Sequence, residues 1–439
     1  MKKNLLIIGL LVGVLMSSSC NKYLDIQPVG TVIPKSESDF RALMVSAYIS
    51  YPAHKSRLNL RTDELILDES STDIASIKDL YLWNDQNPDA TTFPMAWETI
   101  YKSIFYANYV IAEGKNVAGD SEAMQQIRAE AYLIRAYSHF ELLNTYSESY
   151  NPATAAMDRG VPISIKVDLE QLFKPASVEQ VYTQILGDMK EAEALLHVID
   201  NASDVKYRFS KRAYYAFEAR LRLYRGEWML AEIAANKALT INADLEDLNL
   251  ATSKIPTDFE SKEMIQAWER VGDSRVSRST FIDPKFMAKY SKGDLRLTRF
   301  FQKSGRDYVS AKGTDTRYNS TFRNAELYLI KAESELQLGK KDQAIVSLST
   351  LLKNRLIPET YATAVTKLSG LSNEDLKVEI IEERGRELTL EGLRWYDLKR
   401  SIRPAIEHHY QGQVSQLQKN DPRYVIRYPK AAISNNPDL

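Results

Sequence analysis

The sequence is poor in the residues that several common classes of protein require. It has one cysteine among 439 residues, so an internal disulfide cannot form. None of its five histidines has the His-Glu-x-x-His spacing of a catalytic zinc site, and phosphate-binding loops, dinucleotide-binding fingerprints and nucleophile elbows are absent. The formal net charge is −1, with no long basic cluster. We therefore predict no enzymatic activity, no cofactor, no metal-binding residues and no nucleic-acid partner.

Long hydrophobic runs are confined to the N-terminus. Two lysines precede an apolar run at 5–16, and three serines then lead to Cys20. The run is too short to span a bilayer comfortably, and the order of basic, apolar and small residues is that of a secretory signal peptide. A lone cysteine at this place resembles a bacterial lipobox; the alternative is an ordinary signal peptide with an incidental cysteine. We predict a signal peptide at 1–19 and a lipid anchor on Cys20, and Asn21 favours the outer membrane.

Apolar residues with helical spacing occupy much of the remaining chain. One such series is Ile100, Ile104, Ala107 and Ile111. Two later stretches each place a pair of such segments on either side of a glycine, Gly226 or Gly339. A short loop, small residues at the crossing and about 30 residues per pair are typical of tetratricopeptide-like hairpins. The pattern predicts a mainly α fold.

Two segments, 51–92 and roughly 241–321, lack helical periodicity. The second is too long for a plain connection in a compact domain, so we interpret it as a functional insertion. Each segment contains one tryptophan outside any helical pattern. The other three tryptophans, Trp97, Trp228 and Trp395, lie on periodic helical faces and are predicted to pack in the core.

Charged and apolar residues alternate in the segment 383–400, ERGRELTLEGLRWYDLKR. We predict a helix whose charges pair locally, for example Arg384 with Glu387 and Glu391 with Arg394. Nearby opposite charges keep such carboxylates ionised, which argues against proton transfer as their role. We interpret the segment as a structural clasp between the irregular insertion and the helical repeats. Its two glycines are predicted to be places where another backbone approaches closely.

Several different short motifs occur in a specific order along almost the whole chain. After Cys20 come 97–101 (WETIY) with Asn108, 129–150 (AEAYLIRAYSHFELLNTYSESY), Val161-Pro162, 323–339 (RNAELYLIKAESELQLG), 383–400, Tyr428-Pro429 and Asn436-Pro437. Each motif alone is weak. Their order and spacing together resemble the SusD/RagB family of outer-membrane nutrient-binding lipoproteins of Bacteroidetes.

The resemblance implies a right-handed superhelix of tetratricopeptide-like helix pairs with an irregular, loop-rich subdomain on one side. It implies a lipid-anchored protein on the extracellular side of the outer membrane, which captures a glycan or oligosaccharide and delivers it to a SusC-like TonB-dependent transporter. The alternative is a helical-repeat scaffold that binds a protein or peptide and no sugar. The expected regions are a signal peptide at 1–19, a tether at 20–36, an N-terminal helical region at 37–240, an irregular insertion at 241–321 and a C-terminal helical region with its tail at 322–439.

The candidate ligand-binding residues lie in the two irregular segments. Sugar sites combine aromatic rings, which stack on the apolar faces of pyranoses, with polar groups that bond hydroxyls. Trp83 and Trp268 are therefore the predicted stacking residues, and a core role for each stays open as the alternative. Tyr81, Asn84 and Arg270 are predicted to supply neighbouring contacts. The hypothesis requires both indole rings to reach one exposed face.

Two other polar groups are predicted to lie outside the site. Asp63, Glu64 and Asp68 form an acidic group that we interpret as solvated or capping. His408 and His409 are predicted to lie on the surface, since a pair of adjacent histidines has no metal-ligand spacing.

Overall fold

Helices form most of the structure, which confirms the predicted fold class. The computed structural model describes residues 33–167 and 173–439, so the predicted signal peptide and Cys20 lie outside the described residues. Within these ranges there are 17 α-helices and eight short strands. None of the helices described there combines the length and the apolar composition needed to cross a bilayer.

Eight helices within the described ranges precede the long segment without helical periodicity. They are α1 (Glu37–Ile49), α2 (Lys55–Asn59), α3 (Lys78–Tyr81), α4 (Glu98–Ala118), α5 (Glu122–Tyr146), α6 (Val178–Leu195), α7 (Lys211–Tyr224) and α8 (Trp228–Ile241). α4 packs on α5, α5 on α6, and α7 on α8. The apolar positions of the helical repeat face inward, since Ile100 and Ile104 are fully buried. Gly226 turns the chain between α7 and α8 with φ 71°, a conformation that favours glycine.

The segment between α8 and the C-terminal helices consists of short elements. The first strand, β1 (Leu65–Leu67), lies earlier in the chain, between α2 and α3. The short elements after α8 are β2 (Met264–Gln266), α9 (Ser274–Arg278), β3 (Thr280–Ile282), α10 (Pro284–Met287), α11 (Arg296–Arg299), β4 (Phe301–Ser304), β5 (Asp307–Ser310) and β6 (Phe322–Arg323). The strands form antiparallel pairs, β1 with β3, β2 with β6 and β4 with β5. The β1–β3 pair joins the two segments that lack helical periodicity.

The C-terminal part returns to helices and ends in a hairpin. Its elements are α12 (Asn324–Gln337), α13 (Lys341–Lys353), α14 (Pro358–Gly370), α15 (Asn373–Glu387), α16 (Arg394–Arg400), β7 (Ile406–Tyr410), β8 (Gln413–Leu417) and α17 (Lys430–Asn435). α12 packs against α8, α13 and α15, which continues the stack of helical hairpins. A small apolar cluster among α12–α15 lies beside the large one that contains most of the core.

The segment 383–400 is two helices and not one. α15 ends at Glu387, a turn follows with positive φ at Leu390 (60°) and Gly392 (74°), and α16 begins at Arg394. A Cβ on Gly392 would lie 2.5 Å from Cβ and 2.8 Å from Cα of Lys55 in α2. The close backbone approach predicted for this glycine is confirmed, whereas the three atoms nearest to a Cβ on Gly385 belong to the side chain of Arg394, so the prediction is wrong for Gly385.

The charges of this segment are paired, but the predicted local partners are wrong. Arg384 Nε donates to Asp397 Oδ2 at 2.9 Å, and Arg394 Nη2 donates to Asp63 Oδ2 at 3.0 Å. The physical reason is burial: Glu387 is fully buried, and a buried carboxylate needs several donors to offset the loss of its hydration. Neighbours on one helical turn cannot supply them.

Glu387 lies at the centre of the resulting network. Its carboxylate accepts hydrogen bonds from Arg323 at 2.6 Å, Arg355 at 2.9 Å and Arg296 at 3.1 Å. Burial alone raises the pKa of the Glu387 carboxyl, but the three guanidinium groups together hold it well below its usual range. Since Arg296 belongs to α11 and Arg355 follows α13, the network joins the insertion to the helical repeats. The interpretation of the segment as a structural clasp is confirmed, with distant partners.

The acidic group near β1 has mixed roles. Asp68 accepts a hydrogen bond from Ser70 N at 3.0 Å and so closes a local turn. Glu64 is fully buried, which contradicts the prediction for it. It accepts from Leu390 N at 2.7 Å and from Thr62 Oγ1 at 2.9 Å, so it holds the turn before α16 against the N-terminal part of the chain.

Candidate functional site

A cleft of ≈ 700 Å³ separates the end of α1 from the insertion. Trp268 and Arg270, two of the predicted site residues, line it together. The lining comes from residues at 45–53 at the end of α1, 203–207 before α7, Phe259, 267–270 after β2 and 315–319 before β6. Four chain segments and Phe259 therefore converge on one surface depression.

Trp268 is held rigidly in the wall of this cleft. Its Nε1 donates to Tyr48 O at 3.0 Å, and its backbone N donates to Thr321 Oγ1 at 3.2 Å. Its ring centroid lies 4.3 Å from that of Tyr51, and Tyr48 meets Tyr207 edge-on at 5.2 Å. Because Trp268 is only 5% exposed, the half-buried rings of Tyr51 and Tyr207 share the aromatic surface that faces the cleft.

Polar groups surround this aromatic wall. Asn319 Nδ2 donates to Trp268 O at 3.1 Å, whereas the buried Oδ1 of Asn319 has no hydrogen-bond partner among the described residues. Arg270 is exposed, and Lys206 is partly buried. Arg317 pairs with Asp258 at 2.8 Å. The cleft thus presents several cationic donors beside aromatic rings.

The prediction of an aromatic platform built on two exposed tryptophans is wrong, because Trp268 is only 5% exposed and Trp83 reaches neither this cleft nor any exposed face. Trp83 is 2% exposed, and its Nε1 donates to Arg61 O at 3.1 Å. His408 stacks on Trp83 at 4.2 Å between ring centroids and on the buried Tyr81 at 3.8 Å. The loop that contains Trp83 covers the core, which local sequence irregularity does not distinguish from an exposed loop.

His408 is likewise buried, at 2% exposure, and not on the surface as predicted. Its ring nitrogens lie 2.6 Å from Tyr81 O and 2.8 Å from Thr62 O. The alternation of β7 turns His408 inward, whereas its neighbour His409 is exposed.

Asn84 is exposed but has a local structural role. Its Nδ2 donates to Asp79 Oδ1 and to Asn87 O, each at 3.0 Å, and so closes the turn after α3. The structure therefore separates Tyr81, Trp83 and Asn84 from the cleft that contains Trp268.

A buried ionic cluster behind the cleft wall was missed by sequence reasoning. His54, Glu141 and Glu269 place possible ligand atoms within 4.8 Å of one another, an arrangement that resembles a metal site. The ammonium of Lys55 lies 2.7 Å from Glu141 Oε2 and 3.7 Å from Glu269 Oε1. Because this ammonium already supplies the positive charge between the carboxylates, we interpret the cluster as structural. Burial raises the pKa of Glu269, and Lys55 opposes that shift.

The residues that sequence reasoning missed in the cleft itself are Tyr51, Tyr207 and Asn319. Tyr51 opens the first irregular segment, and Asn319 closes the second, so their location was a weak signal. Nothing local distinguishes these residues from other loop tyrosines and asparagines.

Comparison with known proteins decides the family. A family model described as starch-binding and associating with the outer membrane matches residues 22–223. A second model, of the SusD family, matches residues 269–439. The chain belongs to the SusD family. The family predicted from the motifs is therefore confirmed, and membership also supports association with the outer membrane.

Individual SusD-like proteins match over most of their length. SusD-like protein P38 of Formosa agariphila is 24% identical, over 88% of each chain. A solved SusD superfamily protein from Bacteroides fragilis has a TM-score of 0.78 and 21% identity, covering 93% of this chain and 100% of that one. A laminarin-binding SusD-like protein has a TM-score of 0.61 and 20% identity, covering 84% and 92%. These structural likenesses support the SusD fold, including its tetratricopeptide-like superhelix.

Proposed function

We propose that this SusD-family protein binds an oligosaccharide in the cleft at Trp268 without transforming it. The observation that carries the proposal is the convergence of Trp268, Tyr51 and Tyr207 on one cleft that polar and cationic side chains also line. Aromatic rings pack on the apolar faces of pyranoses, and polar side chains at the rim of a site bond sugar hydroxyls. The laminarin-binding relative adds support from the family.

The proposed site retains two of the residues predicted from sequence, Trp268 and Arg270. It gains Tyr51, Tyr207 and Asn319, which only the tertiary structure brings to the same place. Tyr81, Trp83 and Asn84 are not part of the proposal because they hold buried or local structure.

The acids of the cleft favour binding over hydrolysis. Glycoside hydrolysis requires two carboxyl groups that flank the scissile bond, about 5 to 9.5 Å apart. Among the described residues, Asp204 and Asp315 are the acids that line the cleft. Asp315 is used as a cap, since its Oδ1 accepts from Arg317 N at 2.8 Å. A carboxylate committed to a turn is poorly suited to proton transfer.

We also propose that Cys20 is lipidated, that the protein faces the outside of the cell, and that it delivers its ligand to a SusC-like TonB-dependent transporter. The lipobox-like leader and the family resemblance support this. An apolar patch on α8 supports a protein partner: Met229 is 60%, Leu230 39% and Ile233 44% exposed. Cys20→Ala is expected to release the protein from membranes, and retention of this variant would contradict lipidation.

Calorimetry against a panel that includes laminarin oligosaccharides tests the proposed site. Trp268→Ala is expected to weaken binding about tenfold or more, because it removes a buried aromatic wall. Trp228→Ala, in a half-buried tryptophan outside the cleft, is the control for loss of an indole. Thermal unfolding of both variants checks that they remain folded. Unchanged affinity in folded Trp268→Ala rejects the site, and no binding to any glycan favours the protein- or peptide-binding scaffold instead.

A further inference from the structure

The cations of the cleft are incompletely matched by acids. Lys206, Arg270 and Arg317 line it, and only Arg317 forms an ion pair with another described residue, Asp258 at 2.8 Å. Asp200, whose charge acts on Lys206, is itself paired with Arg212 at 2.7 Å. Two cationic side chains beside the aromatic wall therefore remain available to a ligand.

Lys206 is the more informative of the two. Its side chain is partly buried, and burial lowers the pKa of its ammonium, with Asp200 opposing the shift. An ammonium that has lost part of its hydration gains from a bound anion more than a fully exposed one does. The backbone of Lys206 is anchored beside the aromatic wall, because Lys206 O accepts a hydrogen bond at 3.1 Å from the backbone N of Ala267, the residue before Trp268.

Arg270 lies in the same wall of the cleft, two residues after Trp268. The backbone there is anchored, since Ser320 N donates to Glu269 O at 2.9 Å, while the Arg270 side chain is exposed. A guanidinium presents paired donors that match the two oxygens of a carboxylate or a sulfate.

Neither acid of the lining, Asp204 or Asp315, forms an ion pair with Lys206 or Arg270 among the described residues. Asp315 accepts a hydrogen bond from its own turn, at Arg317 N. Asp204 is exposed, so water screens its charge, and its carboxylate also suits the hydroxyl groups of a sugar.

We infer that the ligand of this cleft is an anionic oligosaccharide, whose carboxylate or sulfate groups pair with Lys206 and Arg270 while a sugar ring packs on the aromatic wall. This inference rests on the proposed function, because it specifies the ligand of the same site. It predicts discrimination by charge between glycans that share one backbone.

Two matched pairs of ligands test it by calorimetry on the full-length protein. One pair is an oligogalacturonate and its methyl ester, which differ only at the carboxylate. The other is a sulfated oligosaccharide and its desulfated form. The acidic member of at least one pair is expected to bind about tenfold or more tightly than the neutral member, and its affinity is expected to fall as NaCl is raised. The pair that shows the preference identifies the anion as carboxylate or sulfate.

Variants of Lys206 and Arg270 test whether these two cations cause the preference for the acidic member. Lys206→Gln and Arg270→Gln are each expected to weaken binding of the acidic member about tenfold while leaving that of the neutral member nearly unchanged. Lys377→Gln and Arg306→Gln remove the same charges at exposed positions outside the cleft lining, and they are expected to retain full discrimination.

Three results overturn the inference, and they separate its failure from failure of the proposed function. Equal affinity for acidic and neutral members, with binding still dependent on Trp268, removes the anionic ligand but keeps the glycan site. Discrimination between acidic and neutral members that survives both Lys206→Gln and Arg270→Gln also contradicts the inference. Absence of binding to both pairs and to the neutral panel rejects the proposed function together with the inference.

Discussion

Arg323 Nη1 donates to Glu387 Oε1 at 2.6 Å, and both side chains are fully removed from solvent. Arg323 ends β6 directly before α12, whereas Glu387 ends α15. Removing one partner of such a buried pair strongly lowers stability, because the other partner loses a counter-charge that water cannot replace.

Glu387→Gln is therefore expected to lower the free energy of unfolding by about 3–5 kcal/mol, since it leaves three guanidinium groups without their shared carboxylate. Chemical denaturation followed by circular dichroism measures the effect. Glu374→Gln, an exposed acid in the first turn of α15, is the control and is expected to cost about 1 kcal/mol or less. Similar losses in the two variants would contradict the central role of Glu387.

Gly392 and Gly412 provide a matched test of close packing, because both have φ 74°. A Cβ on Gly412 meets nothing within 4 Å, so Gly412→Ala is expected to cost only the backbone strain, about 1 kcal/mol. A Cβ on Gly392 would lie 2.5 Å from Cβ of Lys55. Gly392→Ala is expected to destabilise the protein by at least about 2 kcal/mol more. Equal unfolding midpoints of the two variants would show that α2 shifts at little cost to make room for the added methyl group.

His408 is expected to make stability depend on pH between 4 and 6.5. Burial lowers the pKa of its imidazole to about 4, although hydrogen bonds to Tyr81 O and Thr62 O oppose the shift. Since the unfolded chain titrates near 6.5, it binds more protons in this window than the folded protein does. The contribution of His408 is thus present above pH 6.5 and is lost as pH falls toward 4.

Unfolding curves of wild type and His408→Gln at several pH values measure this contribution. The difference between the two proteins is expected to change by on the order of 2 kcal/mol between pH 6.5 and 4. His409→Gln, at the exposed neighbour, is the control. A wild-type curve that stays parallel to that of His408→Gln, or that becomes more stable on acidification, would contradict the prediction.

Lys399 is expected to make the stability of the protein depend on pH in the alkaline range. Its Nζ is buried and donates to Asn144 O and to Ser147 O, and burial lowers the pKa of the ammonium to about 7. The unfolded chain, with a pKa near 10.5, binds the extra proton between pH 7 and 10.5, so stability rises with pH there. In Lys399→Met this rise is expected to disappear, whereas the exposed Lys377→Met retains it. Denaturation at pH 7 and pH 10 distinguishes them.

Local sequence patterns predicted the regular part of the fold because a helix needs only neighbours at three- and four-residue spacing. Ile100 and Ile104 mark the buried face of α4, and the glycine at Gly226 marks a hairpin turn. The same reasoning failed for the partners of Glu387. Arg323 lies 64 residues away in sequence, and no local spacing encodes that pair.

The two loop tryptophans show most clearly what each level of structure contributes. The sequence alone determined that Trp83 and Trp268 lie outside the helical repeats, that the chain carries the motifs of the SusD family, and that its helices pack as hairpins. Only the tertiary structure decided that His408 stacks on Trp83 and buries it, while Trp268 lines a cleft with Lys206. The reason is physical: burial and charge balance depend on segments that meet only when the chain is folded.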